Sequence, residues 1–382
     1  MSRKIRVGLI YGGRSGEHDV SLQTALAVIK AMDFSQYEVT PFYISKKGQW
    51  SSGACLQAPV ETKEALTFSG AGSLEDGAAG GEGTSSLLAP IFGSSSVQTA
   101  GASDAAGLQA LDVVFPLLHG TFGEDGTIQG MLEMADIPYV GAGVLASSVG
   151  MDKVMMKKVF AQEGLPQCVF RYFTKTQWEK NQSYHLLEIE IAVGYPCFVK
   201  PANLGSSVGV TKARNQEELL QAVGFAFQYD RKVIVEEFID AREVEVGILG
   251  NEEAQASVAG EIVSSNEFYD YKAKYLDGTS AMVIPAEIPA EIAEQLREMA
   301  IRAFQAIDGS GLSRVDFFLR REDSAIFINE INTMPGFTPF SMYPQLWKGS
   351  GKPYSELLDE LIRLAIERHE AKQSIQYTFD VE

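Results

Sequence analysis

Cysteine is scarce in this 382-residue chain. Cys55, Cys168 and Cys197 form no Cys-x-x-Cys pair, so a disulfide framework is excluded and the three read as reduced thiols in a cytoplasmic protein. Positive charge is in deficit: 32 Lys and Arg stand against 50 Asp and Glu, a formal net charge of −18. No long basic stripe is present, which argues against a general nucleic-acid binder. A nucleotide site remains open, because a few lysines and backbone amides suffice there. Long apolar runs are also missing. No segment can span a bilayer, and the opening MSRKIRVGLIYGG has too short an apolar run for a signal peptide before its glycine turn. The glycines after the first strand do not follow Gly-x-Gly-x-x-Gly, which removes a simple nicotinamide dehydrogenase. The Walker order Gly-x-x-x-x-Gly-Lys-Ser/Thr is absent as well.

What is there is a chain of two or three domains, with 45% hydrophobic residues for packed cores. Residues 4–11 predict a strand, followed by a Gly-rich turn, a helix from near Ser21 and a second strand over 37–45. This β-α-β start predicts an open parallel sheet with a ligand-accessible loop after its first strand. Residues 68–108 are rich in Gly, Ser and Ala and read as a flexible surface insertion. A helix over 152–163 opens a second region. Turn-separated β runs at 168–173, 195–200, 232–238, 243–249 and 256–263 predict an antiparallel sheet. A helix over 290–307 opens a third.

Two strands near the C-terminus carry the densest chemistry. Val315, Phe317 and Leu319 alternate in one; Ile326, Ile328, Glu330 and Asn332 alternate in the next. Glu330 and Asn332 therefore share a face, and an antiparallel neighbour can bring Asp316 to it. Two carboxylates and an amide oxygen suit Mg²⁺ or Mn²⁺ better than zinc.

Four other segments each admit a functional and a plain structural reading. Residues 198–210 form a strand, a Gly/Ser loop and a return strand: a phosphate cradle with Lys200, or a hairpin turn. Residues 233–239 with Glu243 are an adenosine pocket, or a core strand with solvent-facing acids. His119, on a glycine-rich loop at a strand's C-terminal end, is a functional placement or a structural histidine, as are Glu17 and His18. The polar-aromatic stretch 267–275 is a lid over a charged substrate, or an edge strand.

Taken together and in order, these segments resemble the D-alanine–D-alanine ligases of the ATP-grasp superfamily. The diagnostic ones are Gly12-Gly13-Arg14-Ser15-Gly16-Glu17, Leu118-His119-Gly120, Gly123-Glu124-Asp125-Gly126, Met151-Asp152-Lys153, the Lys200–Gly209 loop, 269–275 and 329–336. The resemblance spans nearly the whole chain except the insertion. It implies an α/β fold of three domains: a Rossmann-like N-terminal parallel-sheet domain (1–150), a central ATP-grasp subdomain (151–240) and a C-terminal catalytic subdomain (241–382). It implies ATP between the two ATP-grasp subdomains, with Lys153, Lys200, Ser206, Ser207, Lys274, Asn329 and Glu330 toward the phosphates. Glu236, Glu237, Phe238, Ile239 and Glu243 would hold the adenosine. Asp316, Glu330 and Asn332 would bind two Mg²⁺ (or Mn²⁺) ions.

The implied reaction joins two D-alanines through a D-alanyl phosphate, for peptidoglycan precursor synthesis. Glu17 would hold the first ammonium and His119 would lie by its carboxylate. Glu17, Ser206 and Tyr275 would form a hydrogen-bonded set that fixes the lid. Arg314 and the Gly336 amide would stabilise the tetrahedral oxyanion, and Ser341 and Tyr275 would lie near the second substrate. Tyr275 in the lid favours an amine acceptor over D-lactate, since a histidine there would repel an ammonium. A homodimer is the family expectation. The rivals are an ATP-grasp ligase with another acceptor, such as D-lactate or D-serine, and a non-catalytic ATP-binding regulator.

Overall fold

The computed structural model describes residues 3–68, 111–263 and 281–376. Most of the predicted insertion, and the 267–275 segment with Lys274 and Tyr275, lie outside the described residues. The described residues form an α/β fold with three sheets.

The first sheet has the order β3-β2-β1-β4. β1 (Ile5–Gly12) pairs in parallel with β2 (Tyr37–Ile44) and β4 (Val113–Pro116), while β3 (Trp50–Ser52) runs antiparallel on the edge. β1 is a central strand covered on both faces, which is why it reads as a continuous apolar run. The helix His18–Ala31 begins three residues earlier than expected and buries Leu22, Ala25, Val28 and Ile29 as one stripe.

The β runs after residue 168 divide between two sheets rather than forming one. β5 (Phe170–Thr174), β6 (Cys197–Pro201), β7 (Thr211–Ala213) and β8 (Lys232–Glu237) pair in the order β5-β8-β6-β7. β9 (Ala241–Gly250), β10 (Gln255–Val263), β11 (Ala281–Val283), β12 (Gly311–Arg320) and β13 (Ile326–Asn332) pair in the order β11-β10-β9-β12-β13. Only three residues separate β8 from β9, yet the two strands belong to different sheets. Their partners are set by distant packing, which periodicity does not encode. Helices Lys175–Lys180, Gln182–Ala192 and Gln216–Ala226 also went unread. Their signals are local: a Thr174–Gln177 capping box, and an Asn215 side chain accepting from the Glu218 amide.

The C-terminal helix Tyr354–Gln373 straps the first sheet to the third. Its Leu357 and Leu361 share one core with Val7, Leu9 and Phe115. Arg368 donates to Ser310 Oγ (2.7 Å), to the Tyr139 carbonyl (2.9 Å) and to the Gly141 carbonyl. This strap fixes the loop after β1 opposite the C-terminal strands. Among the described residues no helix is long and apolar enough to cross a membrane.

The third sheet packs on the helix Ala290–Ala306, where Phe304 joins Val244, Val246, Val315 and Phe317 in one core. Phe304 is 1% exposed. Phe304→Ala should destabilise the protein by about 3–5 kcal/mol, read as a shifted urea midpoint with unchanged slope. A loss below about 1 kcal/mol would mean that this helix–sheet core collapses around the gap.

Candidate active site

One face of the third sheet is polar. On β9, Val244, Val246 and Ile248 are fully buried, so Glu243 and Glu245 alternate to the other side. On β12, Val315, Phe317 and Leu319 face the core, which leaves Arg314 and Asp316 opposite them. Asp316 lies directly across from Glu245 on one neighbour and from Glu330 on the other. Arg314 lies across from Asn332.

The alternation expected along β13 is broken at one point. Asp316 and Phe317 are consecutive, but their partners Glu330 and Ile328 are two apart, so Asn329 is the extra residue of a β-bulge. Parity therefore switches: Ile326 and Ile328 go to the core, and so does Ile331, while Glu330 and Asn332 reach the cleft. Without the bulge, the strand could not bury its isoleucines and present both ligand candidates.

Arg314 is gripped by carboxylates. It donates to both Asp316 oxygens, at 2.7 and 2.7 Å, and its Nε lies 2.7 Å from Glu245 Oε2. Burial works against its charge, but Asp316 and Glu245 hold its pKa well above the ordinary value. It is a fixed cation. Glu245 was missed from the sequence, because its role depends on cross-strand register. On the facing side, the Gly336 amide makes no hydrogen bond among the described residues. A Cβ on Gly336 would lie 3.1 Å from Ser341 Oγ, so glycine keeps that approach clear. Ser341 Oγ accepts from the Thr338 amide at 3.1 Å.

A second group of cations lies behind β13. Lys153 opens the helix Lys153–Gln162, which Asp152 caps by accepting from the amides of Val154 and Met155. Lys153 Nζ donates to the Leu204 carbonyl at 2.8 Å and lies 3.7 Å from Glu330 Oε2. Lys200 Nζ lies 2.5 Å from Glu236 Oε2. Burial pushes the Lys200 pKa down, but Glu236 and then Glu330 raise it above its ordinary value. The loop beyond Lys200 is strained: Ser206 and Ser207 have φ of 54° and 58°, in the left-handed region.

The loop after β1 closes the other wall. Ser206 Oγ donates to Glu17 Oε1, so two of the three groups expected to fix the lid meet directly. The third, Tyr275, lies outside the described residues. Gly120, with φ of 75°, permits this fit, since a Cβ there would meet Glu17 Oε2 at 2.8 Å. His119 is buried; its ring contacts Thr24 Oγ1 at 3.1 Å and lies 3.8 Å from Glu124. Burial opposes protonation, yet Glu124 and Glu17 raise the His119 pKa above the ordinary histidine value.

These walls enclose a cleft of about 650 Å³. Glu17, His119, Lys153, Ser206, Arg314, Glu330, Asn332, Gly336 and Ser341 all line it. The adenosine candidates stand apart from that lining, around the end of β8. Glu237 Oε1 accepts from the Val169 amide at 2.7 Å, and Lys212 Nζ sits 4.2 Å from the centre of the exposed Phe238 ring. The amides of Glu237 and Phe238 donate to the carbonyls of Val169 and Pro196, whereas the Ile239 amide makes no hydrogen bond among the described residues. Glu236, also expected toward the adenosine, has its side chain engaged elsewhere. Its carboxylate is buried between Lys157 and Lys200. Lys157 itself was missed. The signal was a lysine on the apolar i, i+3, i+6 stripe of Val154, Lys157 and Phe160.

Comparison with known proteins decides the family. A family model for the D-Ala D-Ala ligase N-terminus matches residues 6–142, and one for the D-Ala D-Ala ligase C-terminus matches residues 159–363. The chain belongs to the D-alanine–D-alanine ligase family. It is 54% identical to the D-alanine–D-alanine ligase of Bacillus cytotoxicus, covering 98% of this chain and 99% of that one. It is 52% identical to that of Geobacillus kaustophilus, over 99% of both. Its structure resembles the D-alanine–D-alanine ligase of Coxiella burnetii, with a TM-score of 0.76, 32% identity and 98% and 97% of the two chains covered. It also resembles the VanG D-Ala:D-Ser ligase of Enterococcus faecalis, with a TM-score of 0.76, 34% identity and coverage of 95% and 100%. The ligase family's ATP-grasp fold accounts for the three sheets.

The family uses ATP, and a divalent ion is expected with it. The donor set fits such an ion. Asp316, Glu330 and Asn332 offer hard oxygens on one polar face. Among the described residues no three of His, Cys, Asp and Glu gather as a metal group, and the Asn332 amide oxygen is the candidate third donor beside the two carboxylates. Among the described residues that oxygen accepts from the Met334 amide alone, at 3.1 Å, and keeps a lone pair.

Proposed function

We propose that the chain ligates two D-alanines to D-alanyl-D-alanine at the expense of ATP, releasing ADP and phosphate. The observation that carries this reading is the cleft. It sets Glu17 and Ser206, from one wall, against Arg314, Glu330 and Gly336 from the other. An amino-acid ammonium, a carboxylate to be activated and a phosphoryl donor need those three kinds of partner together.

In the first step a carboxylate oxygen of D-alanine attacks the γ-phosphorus, the bond to the β-phosphate oxygen breaks, and ADP leaves. Glu17 holds the ammonium and His119 faces the carboxylate. Lys153 and Lys200 offset the charge spread over the transferring group. Two Mg²⁺ ions held by Asp316, Glu330 and Asn332 would add Lewis-acid neutralisation of the phosphates. In the second step the free amine of another D-alanine attacks the acyl carbonyl. Arg314 and the Gly336 amide receive the developing oxyanion, and phosphate departs as the amine loses its proton. Ser341 and Tyr275 flank the second substrate. The Ser206–Ser207 loop and Lys274 cover the phosphates, with Asn329 beside them. Glu237 to Ile239 and Glu243 take the adenosine, and the Ile239 amide is the donor with capacity to spare. The three sheets support a division into 1–150, 151–240 and 241–382. A cytoplasmic homodimer completes the reading.

The test is phosphate release with ATP and Mg²⁺, using D-alanine, L-alanine, or D-alanine with D-serine or D-lactate, and products identified by mass. D-alanine-dependent release that yields D-alanyl-D-alanine is expected. A mixed product with D-serine or D-lactate in preference would keep the chemistry and overturn the acceptor. No D-alanine-dependent release from folded, ATP-binding protein would overturn the activity.

A further inference from the structure

Resting on that reading, we infer that Lys157 is a positioning residue for the ATP-phosphate site: it neutralises Glu236, so that Lys200 keeps an uncancelled positive charge for the nucleotide. Lys157 is 1% exposed, so its ammonium is buried behind the site and does not present itself to a substrate. A lysine buried so deeply needs a compensating partner. It has one. Lys157 Nζ lies 3.1 Å from Glu236 Oε1, while Lys200 Nζ lies 2.5 Å from Glu236 Oε2. One carboxylate thus divides its two oxygens between two ammonium groups.

The charge count gives the argument its direction. With Lys157, Glu236 and Lys200 all ionised, the cluster carries one net positive charge. Without Lys157 it carries none. Lys200 would then be paired with Glu236 alone, in a low-dielectric setting where that pairing is strong. Lys157 also donates to the carbonyl of Asn329, the bulge residue next to Glu330, at 3.5 Å. It sits one helical turn beyond Lys153, which lies near Glu330 itself. One helix face therefore supplies an ammonium to the cleft and, behind it, the counter-charge that keeps a neighbouring ammonium available.

A buried ion pair could instead serve stability alone. The two roles separate in the binding of Mg²⁺ with the β,γ-imido analogue of ATP, measured by calorimetry on the full chain. For Lys157→Met the dissociation constant should rise roughly tenfold or more, and KM for ATP with it, while KM for D-alanine stays within about twofold. The double variant Lys157→Met/Glu236→Gln restores the net charge on Lys200. It should bind the analogue within about threefold of wild type, and better than Lys157→Met. The double variant removes both charges of this pair and leaves Glu330 as the counter-charge near Lys200, so its comparison with wild type, made once circular dichroism shows it folded, does not depend on whether Lys157→Met folds. Wild-type affinity in folded Lys157→Met overturns the inference, and so does a folded double variant that loses more than tenfold. A wild-type protein that binds no analogue would sink the ligase reading first, and this inference with it.

Discussion

Replacing Arg314 with methionine should lower kcat for dipeptide formation by roughly 10²–10³-fold, with KM for ATP raised by no more than about threefold. The guanidinium is placed before any substrate arrives. Asp316 accepts from it in a fork at 2.7 and 2.7 Å, and the Glu245 carboxylate lies 2.7 Å from its Nε as a second counter-charge. A donor fixed in this way needs no reorganisation as charge develops on the attacked carbonyl. That is why its loss should fall on kcat and not on ground-state binding. Stability will move too. Removal leaves two carboxylates on a buried face without their cation, an error of about 3–5 kcal/mol where a buried pair is broken. The two effects can be parted by adding Glu245→Gln, which removes one orphaned charge. The double variant should regain thermal stability but not rate. Arg314→Lys is not a substitute, because an ammonium cannot fork to Asp316 and reach Glu245 at once. Folded Arg314→Met with kcat within tenfold of wild type would remove Arg314 from the oxyanion site.

Much of this site was legible before the fold. β1 declared itself by a continuous apolar run closed by glycines, and β12 by strict alternation. Once the strands are paired, Asp316 and Glu330 have to meet, as their types suggested. What stayed hidden depends on contacts between distant segments. The bulge at Asn329 has no signature in period-two reasoning, which puts Ile328 and Glu330 on one face where the structure separates them. Glu245 reads as an ordinary acid on an apolar strand until the register sets it beside Arg314. Glu236 reads as a solvent-facing acid or a nucleotide contact, and becomes a buried bridge because two lysines from other elements close on it. The division of the β runs into two sheets belongs to the same class. Local pattern identifies the strands, and long-range packing chooses their partners.

Glu330→Gln should raise the Mg²⁺ concentration for half-maximal phosphate release by at least roughly tenfold, and EDTA should abolish release in both proteins. The substitution keeps size and one oxygen but removes the charge that makes the group a hard ligand. It should leave the fold intact, because the Glu330 side chain remains 31% exposed and Lys153, 3.7 Å away, keeps its bond to the Leu204 carbonyl. Asp316→Asn should behave differently. Asp316 has two duties: it is a candidate ligand and it is the fork that holds Arg314. Its loss should raise the Mg²⁺ requirement and lower kcat at saturating Mg²⁺, whereas Glu330→Gln should recover most of its kcat there. The contrast follows from the register alone, since Asp316 stands in the middle of the face and Glu330 at its edge strand. Should both variants show one and the same Mg²⁺ dependence as wild type, the polar face would hold Arg314 and the substrates but no metal. The divalent ion would then have to reach the protein on the nucleotide, with its remaining ligands drawn from elsewhere in the cleft.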